Sequence, residues 1–151
     1  MSAGTAVLRG RVGRGDGRGR QLGFPTANLQ LDRTVVEALR PGVWAALARW
    51  DGPAPRGAVV NAGTRPTFAG GVPVVEVHVL DFAGDLYGCQ VEVELLGWIR
   101  PEQRFPSVSA LVAQIRLDVE VARRLIQEHA RVSTVAGHQQ TEGGKPSGNQ
   151  S

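Results

Sequence analysis

Short apolar runs cut by glycine and proline fill the first hundred residues, and their length predicts strands. Residues 5–12 (TAVLRGRV), 42–50 (GVWAALARW), 57–62 (GAVVNA), 73–82 (PVVEVHVLDF) and 88–99 (GCQVEVELLGWI) are each rich in β-branched or other apolar residues. Alternation is clearest in the fourth run. Val75, Val77 and Val79 fall on one face, with Val74, Glu76, His78 and Leu80 on the other; Leu80 and Phe82 blur the polar side. Asp51-Gly52 and Ala83-Gly84-Asp85 are turn signals, so the runs predict an antiparallel meander or barrel.

From Ser107 the period changes. Val108, Leu111, Ile115, Val119, Ala122 and Ile126 recur every three or four residues and predict one apolar helical face, with Arg116, Glu120, Arg123, Arg124 and Glu128 largely on the others. Ser107 is the expected cap, with Ser109 as a competing start. Such a stripe needs a partner, so the helix is expected to pack outside the barrel. After about Arg131 the sequence VSTVAGHQQTEGGKPSGNQS has few groups to bury. The expectation is one folded unit over residues 1–130 and a flexible tail over 131–151.

Composition narrows the classes. A chain of 151 residues, 42% hydrophobic and 21% charged, has the size and make-up of one folded domain and not of a wholly disordered chain. No apolar run reaches eighteen residues and the start lacks a signal-peptide pattern, so neither a membrane span nor export is expected. The lone Cys89 leaves no pair for a disulfide, and cytoplasmic residence follows as an expectation. The net charge of +3 hides an asymmetry. Residues 1–50 carry eight arginines against Asp16, Asp32 and Glu37, a net of +5, so one end favours an anionic partner. The only lysine is Lys145, which argues against the usual P-loop arrangement.

Two adjacent segments carry the densest chemical signal. Gly13-Arg14-Gly15-Asp16-Gly17-Arg18-Gly19-Arg20 alternates glycines, which let backbone amides approach a ligand, with arginines that supply positive charge. On composition it fits a phosphate cradle, an RNA-binding segment or a solvated loop. Phe24-Pro25-Thr26-Ala27-Asn28-Leu29 follows, and if extended it points the oxygens of Thr26 and Asn28 to one side, suited to magnesium or to a metal, water and phosphate network. The plainer alternative is that Thr26 caps a turn and Asn28 satisfies nearby backbone. Glu76 is placed to take a proton from a substrate hydroxyl, or is a surface charge; His78 orients an acid, contacts phosphate or satisfies a neighbour. Asn61 to Phe68 is a polar connection after a strand, either ligand-shaping or merely stiff; beside Arg100 to Phe105, the aromatic Phe105 and Trp98 contact a planar ring or simply pack in the core.

Taken in order, GRGDGRGRQLGFPTANLQL, PGVWAAL, VVNAGTRPTF, VEVHVLDFAGDLYG and IRPEQRFPSVSALVAQIRLD resemble the riboflavin kinase family, also found as the C-terminal module of bacterial bifunctional FAD synthetases. The resemblance covers roughly residues 7 to 125. It implies a compact six-stranded antiparallel, Greek-key-like barrel and the conversion of riboflavin and ATP to FMN and ADP. By similarity Gly15, Gly17, Arg18 and Arg20 cover the nucleotide, with Thr26 and Asn28 binding ATP phosphate and Mg2+. Glu76 is then the base acting on the riboflavin 5′-hydroxyl, and the loop bearing Arg100, Arg104 and Phe105 faces the flavin. Trp44 stands where the family often has Tyr. The residues before Ala6 cannot hold an adenylyltransferase module, so FMN and not FAD is the expected product. No obligate protein partner and no membrane or nucleic-acid partner is expected. Alternatives from other classes are a non-catalytic flavin-binding regulator and a basic barrel that binds nucleic acid; a kinase for a modified flavin is a closer one.

Overall fold

The structure, a computed structural model, describes residues 6–14, 23–67 and 70–143. Six strands form one closed sheet: β1 (Val7–Gly13), β2 (Ala27–Gln30), β3 (Gly42–Arg49), β4 (Arg56–Thr67), β5 (Gly70–Val79) and β6 (Gln90–Arg100). Around the barrel the order is β1-β2-β5-β4-β3-β6, and every neighbouring pair is antiparallel. Closure removes the exposed edges that an open sheet of this size would present to other chains. The expected six-stranded antiparallel barrel is therefore present.

Alternation builds the interior. Val75, Val77 and Val79 of β5, Val91, Val93 and Leu95 of β6, and Val60 of β4 are buried in a single core. Facing them are the alanines 46 and 48 of β3 and 58 and 62 of β4, also buried. Small residues on one wall opposite branched ones on the other fill a barrel too narrow for large side chains all round. Gly42 opens β3 with φ +134°, and a Cβ there would press on the Arg100 carbonyl and the Trp98 indole, so glycine suits the position twice over. A short helix, α1 (Arg33–Glu37), joins β2 to β3 and contributes Val36 to the core.

Helix α2 (Val108–Gly143) packs outside, against β3, β4 and β6. Its start is as expected: the Ser107 hydroxyl accepts the Ala110 amide at 3.1 Å, and the Leu111 amide donates to the Ser107 carbonyl. Contact is made by Ala122, fully buried, while Leu125 and Ile126 approach Gly97 and Gly57, two positions where the strand has no side chain to keep the helix away. Val108, expected on the apolar face, is 62% exposed. The composition change at Arg131 does not end the helix, which runs on to Gly143; Gly143-Gly144 and Pro146 supply the first strong breakers. Residues 144–151 lie outside the described residues. Among the described residues no helix is long and apolar enough to cross a membrane.

At the end of β5, Arg123 of α2 binds Asp81 through both guanidinium nitrogens, at 2.9 and 3.0 Å. Arg123 lowers the Asp81 pKa below its ordinary value of 3.8, first by hydrogen bonding and then by charge attraction. A lowered carboxylate pKa stabilises the fold above the unfolded value, and that contribution is lost as pH falls through the folded value. Asp81 has φ +56°, a conformation asparagine also tolerates, so Asp81→Asn removes the charge without new strain. The expected result is a modest difference in stability between wild type and Asp81→Asn that is constant near neutrality and fades below about pH 4. Urea titrations at several pH values measure it, and high salt should shrink it because the pair is exposed.

Candidate functional site

A row of directly opposed residues crosses five of the barrel's strand pairings. Gly13 faces Asn28, Asn28 faces Glu76, Glu76 faces Asn61, Asn61 faces Val43, and Val43 faces Arg100. Opposed residues in an antiparallel pair share a face, with Cβ atoms about 5 Å apart. Because Leu29, Val60, Val75 and Val77 point inward, Asn28, Asn61 and Glu76 stand side by side on the outer face. Glu76 is half-buried there.

Asn28 is oriented by its neighbour strand. Its Nδ2 donates to the Arg14 carbonyl at 3.1 Å, which fixes the amide and leaves Oδ1 as the acceptor. Arg14 is in turn stacked over the Tyr87 ring at 4.9 Å. Thr26, exposed, lies two residues before Asn28 at the mouth of a cleft of about 460 Å³. One wall of that cleft is Val12, Gly13 and Arg14; the other is the β5–β6 connection at Gly84 to Tyr87. Backbone bonds brace the connection against β1: the Gly88 amide donates to the Val12 carbonyl, and the Val12 amide to the Cys89 carbonyl. The Arg11 guanidinium adds a bond to the Gly88 carbonyl at 2.7 Å. Thr26 thus borders the cleft while Asn28 and Glu76 lie around the strand, so one short segment connects a concave space to the outer-face row.

The glycine-rich loop residues Gly15, Gly17, Arg18 and Arg20 lie outside the described residues. Of the residues that flank them, Arg14 lines the cleft. Neutral oxygen donors at Thr26 and Asn28 fit a magnesium ion held mainly by phosphate and water, since such ions take few protein ligands. Among the described residues there is no group of three His, Cys, Asp or Glu side chains able to hold a metal by themselves.

On the far side, the flavin-facing expectation covered Arg100, Arg104 and Phe105. Arg100 is occupied by helix α2: its Nε and Nη2 each donate to Asp118 at 2.8 Å, and Nη1 donates to the Pro101 carbonyl. Its guanidinium also lies 5.7 Å from the centre of the half-buried Phe105 ring. Arg104 is exposed. Trp98 is engaged elsewhere, donating to the Pro41 carbonyl at 3.1 Å under a stacked Arg40.

Three further residues stand here to which the sequence assigned no individual role. Asn61 ends the predicted strand 57–62 and opens the polar connection read as ligand-shaping or merely stiff; in the structure it directly faces Glu76. Glu102, in the loop before α2, lays its carboxylate against Gly63, so that a Cβ there would displace it. Gly63 is two residues from Asn61, which brings this second carboxylate to the same outer face about 7 Å along the strand. Asp118, only 3% exposed, is a buried charge inside the apolar stripe, and its spacing from Arg100 left no local signal.

Comparison with known proteins decides the lineage. Residues 4–126 match the family described as Flavokinase, riboflavin kinase. The chain belongs to the riboflavin kinase family. Over 117 residues it is 48% identical to the bifunctional riboflavin kinase/FMN adenylyltransferase of Escherichia coli K12, a match covering 78% of this chain and 37% of that protein. It is 38% identical over 120 residues to the RNA-binding riboflavin kinase RibR of Bacillus subtilis 168, covering 78% of this chain and 50% of the relative. Among solved structures, riboflavin kinase from Trypanosoma brucei superposes with a TM-score of 0.63 at 31% identity, covering 97% of this chain and 94% of that one. The match to the bifunctional relatives thus takes in little more than a third of their length.

Proposed function

We propose that this protein transfers the terminal phosphate of ATP to the 5′-hydroxyl of riboflavin, forming FMN and ADP. The observation that carries the reading is the pairing of Asn28 with Glu76 beside a cleft bordered by Thr26. Phosphoryl transfer needs an anion-binding pocket and a carboxylate within reach of one reacting centre, and the two meet along this edge. The nucleotide occupies the cleft, covered by the loop containing Gly15, Gly17, Arg18 and Arg20. Thr26 and Asn28 orient its terminal phosphate, and magnesium, when bound there, offsets the charge on the phosphate oxygens. Glu76 receives the proton of the 5′-hydroxyl as the hydroxyl oxygen bonds to phosphorus. The bond from that phosphorus to the bridging oxygen breaks, and ADP leaves with the electron pair. The flavin lies on the outer face toward the loop that carries Glu102, Arg104 and Phe105. Arg100 supports that loop from beneath.

The reading confines the working unit to residues 1–130, with 131–151 a dispensable extension, and it locates the protein in the cytoplasm. Chromatographic separation of FMN from riboflavin tests it. Turnover is expected with ATP and magnesium, is expected to stop when EDTA removes the metal, and is expected to persist in a chain ending at residue 130. Folded protein that forms no FMN across several nucleotides and divalent metals would overturn it.

A further inference from the structure

The β2–β5 ladder is short, and what holds the chain just before it is a side chain. Its register pairs are Ala27 with Val77 and Asn28 with Glu76. The next position outward would set Thr26 against His78, and the register pairs stop short of it. Instead the His78 imidazole turns toward the preceding residue, and its Nδ1 lies 2.8 Å from the Pro25 carbonyl oxygen. A carbonyl only accepts, so Nδ1 must carry the hydrogen. Pro25 has no amide hydrogen, which makes this carbonyl the one backbone group it can offer. Phe24 completes the contact, meeting the imidazole edge-on with ring centres 5.7 Å apart.

These contacts join the two halves of the site. His78 is two residues from Glu76 on the same outer face of β5, and Pro25 is bonded directly to Thr26. We infer that His78 is a positioning residue for phosphoryl transfer: it clamps Phe24-Pro25 to β5 and so fixes Thr26 relative to Glu76. It touches neither substrate, and the inference rests on the kinase reading above for its kinetic consequence, though not for the clamp itself. A segment released at Pro25 would let Thr26 drift while leaving the barrel, whose core contains neither residue, in place.

Two substitutions in the full chain separate the donor from the ring. His78→Phe keeps an aromatic edge against Phe24 but has no donor; His78→Asn places an amide N–H near the position of Nδ1 and removes the ring. The expected result for His78→Phe is a kcat/KM for ATP lowered about 10- to 100-fold, the size of effect that small misplacement of a reacting group produces. Riboflavin affinity, read from quenching of flavin fluorescence without nucleotide, should stay within about twofold, because Glu76 and the loop from Glu102 to Phe105 are untouched. His78→Asn should restore most of the ATP term. An ATP term that does not change in His78→Phe, or a loss that falls equally on riboflavin affinity, overturns the inference. Long-range 15N spectra of the wild-type protein judge the clamp without any turnover: a hydrogen on Nδ1 is expected, and a neutral ring protonated only at Nε2 sinks it. If wild-type protein makes no FMN, the kinase reading fails, while the 15N result still decides the clamp.

Discussion

Replacing Glu76 by Gln is expected to lower kcat for FMN formation by about 10²- to 10⁴-fold, the range in which a general base contributes. Gln keeps the size and the ability to accept a hydrogen bond but cannot take a proton near neutral pH. The barrel should tolerate the change, since the residue points outward between Val75 and Val77, whose side chains build the core. Riboflavin binding without nucleotide should persist, and the melting temperature should move little, so the loss belongs to the chemical step. A variant retaining more than about a third of wild-type kcat would remove Glu76 from the proposed role. Asn61 would then become the better candidate for orienting the hydroxyl, because it shares the register position on the next strand.

How much of the fold could be read from the sequence depended on the range of the interactions that set it. Runs such as 42–50 and 88–99 bury alternate side chains against the same core, so a local pattern was enough to find β3 and β6. By pattern alone β2 was invisible. It has four residues, one of them buried, and is a strand because β1 and β5 supply partners on both sides. The β4–β5 hairpin runs further than its apolar pattern: Thr64 pairs with Pro73, and Pro66 with Gly71, beyond the ends of the predicted runs 57–62 and 73–82. Helix α2 outlasts its apolar stripe for a related reason. Once nucleated against the barrel, a helix needs only intrahelical bonds and the absence of breakers to continue.

The candidate site divides along the same line. Thr26, Asn28 and Glu76 could be picked out because each is a polar residue set between apolar ones, and spacing within one strand is a local property. That Asn28 faces Glu76 is a matter of register between strands nearly fifty residues apart. Glu102 was beyond reach for the same reason, since nothing near Gly63 or Glu102 signals that the two touch. Arg100 shows the same limit from the other side. An arginine beside a polar loop was read toward the ligand, and the partner that engages it is a carboxylate eighteen residues later, hidden in an apolar stripe.

Arg100→Met is expected to destabilise the protein by about 3–5 kcal/mol, the cost of leaving a buried charge without its partner. Asp118 is 3% exposed and receives three donors, two from Arg100 and one from Gln114 at 3.0 Å. With the arginine gone, one neutral amide remains for an ionised carboxylate under the helix. The double variant Arg100→Met/Asp118→Leu should recover most of the loss, because removing both charges also removes the desolvation that the pair must offset. Urea denaturation of the two single variants and the double variant gives the coupling directly. Losses in the double variant that are additive, with no recovery, would mean that Arg100 and Asp118 act independently and that the bidentate pair does not dock α2. The double variant also answers the ligand question. If its stability returns and riboflavin affinity stays at the wild-type level, Arg100 serves the flavin only by holding the loop from Pro101 to Phe105; if affinity falls in a protein of restored stability, the guanidinium itself contributes to the flavin side.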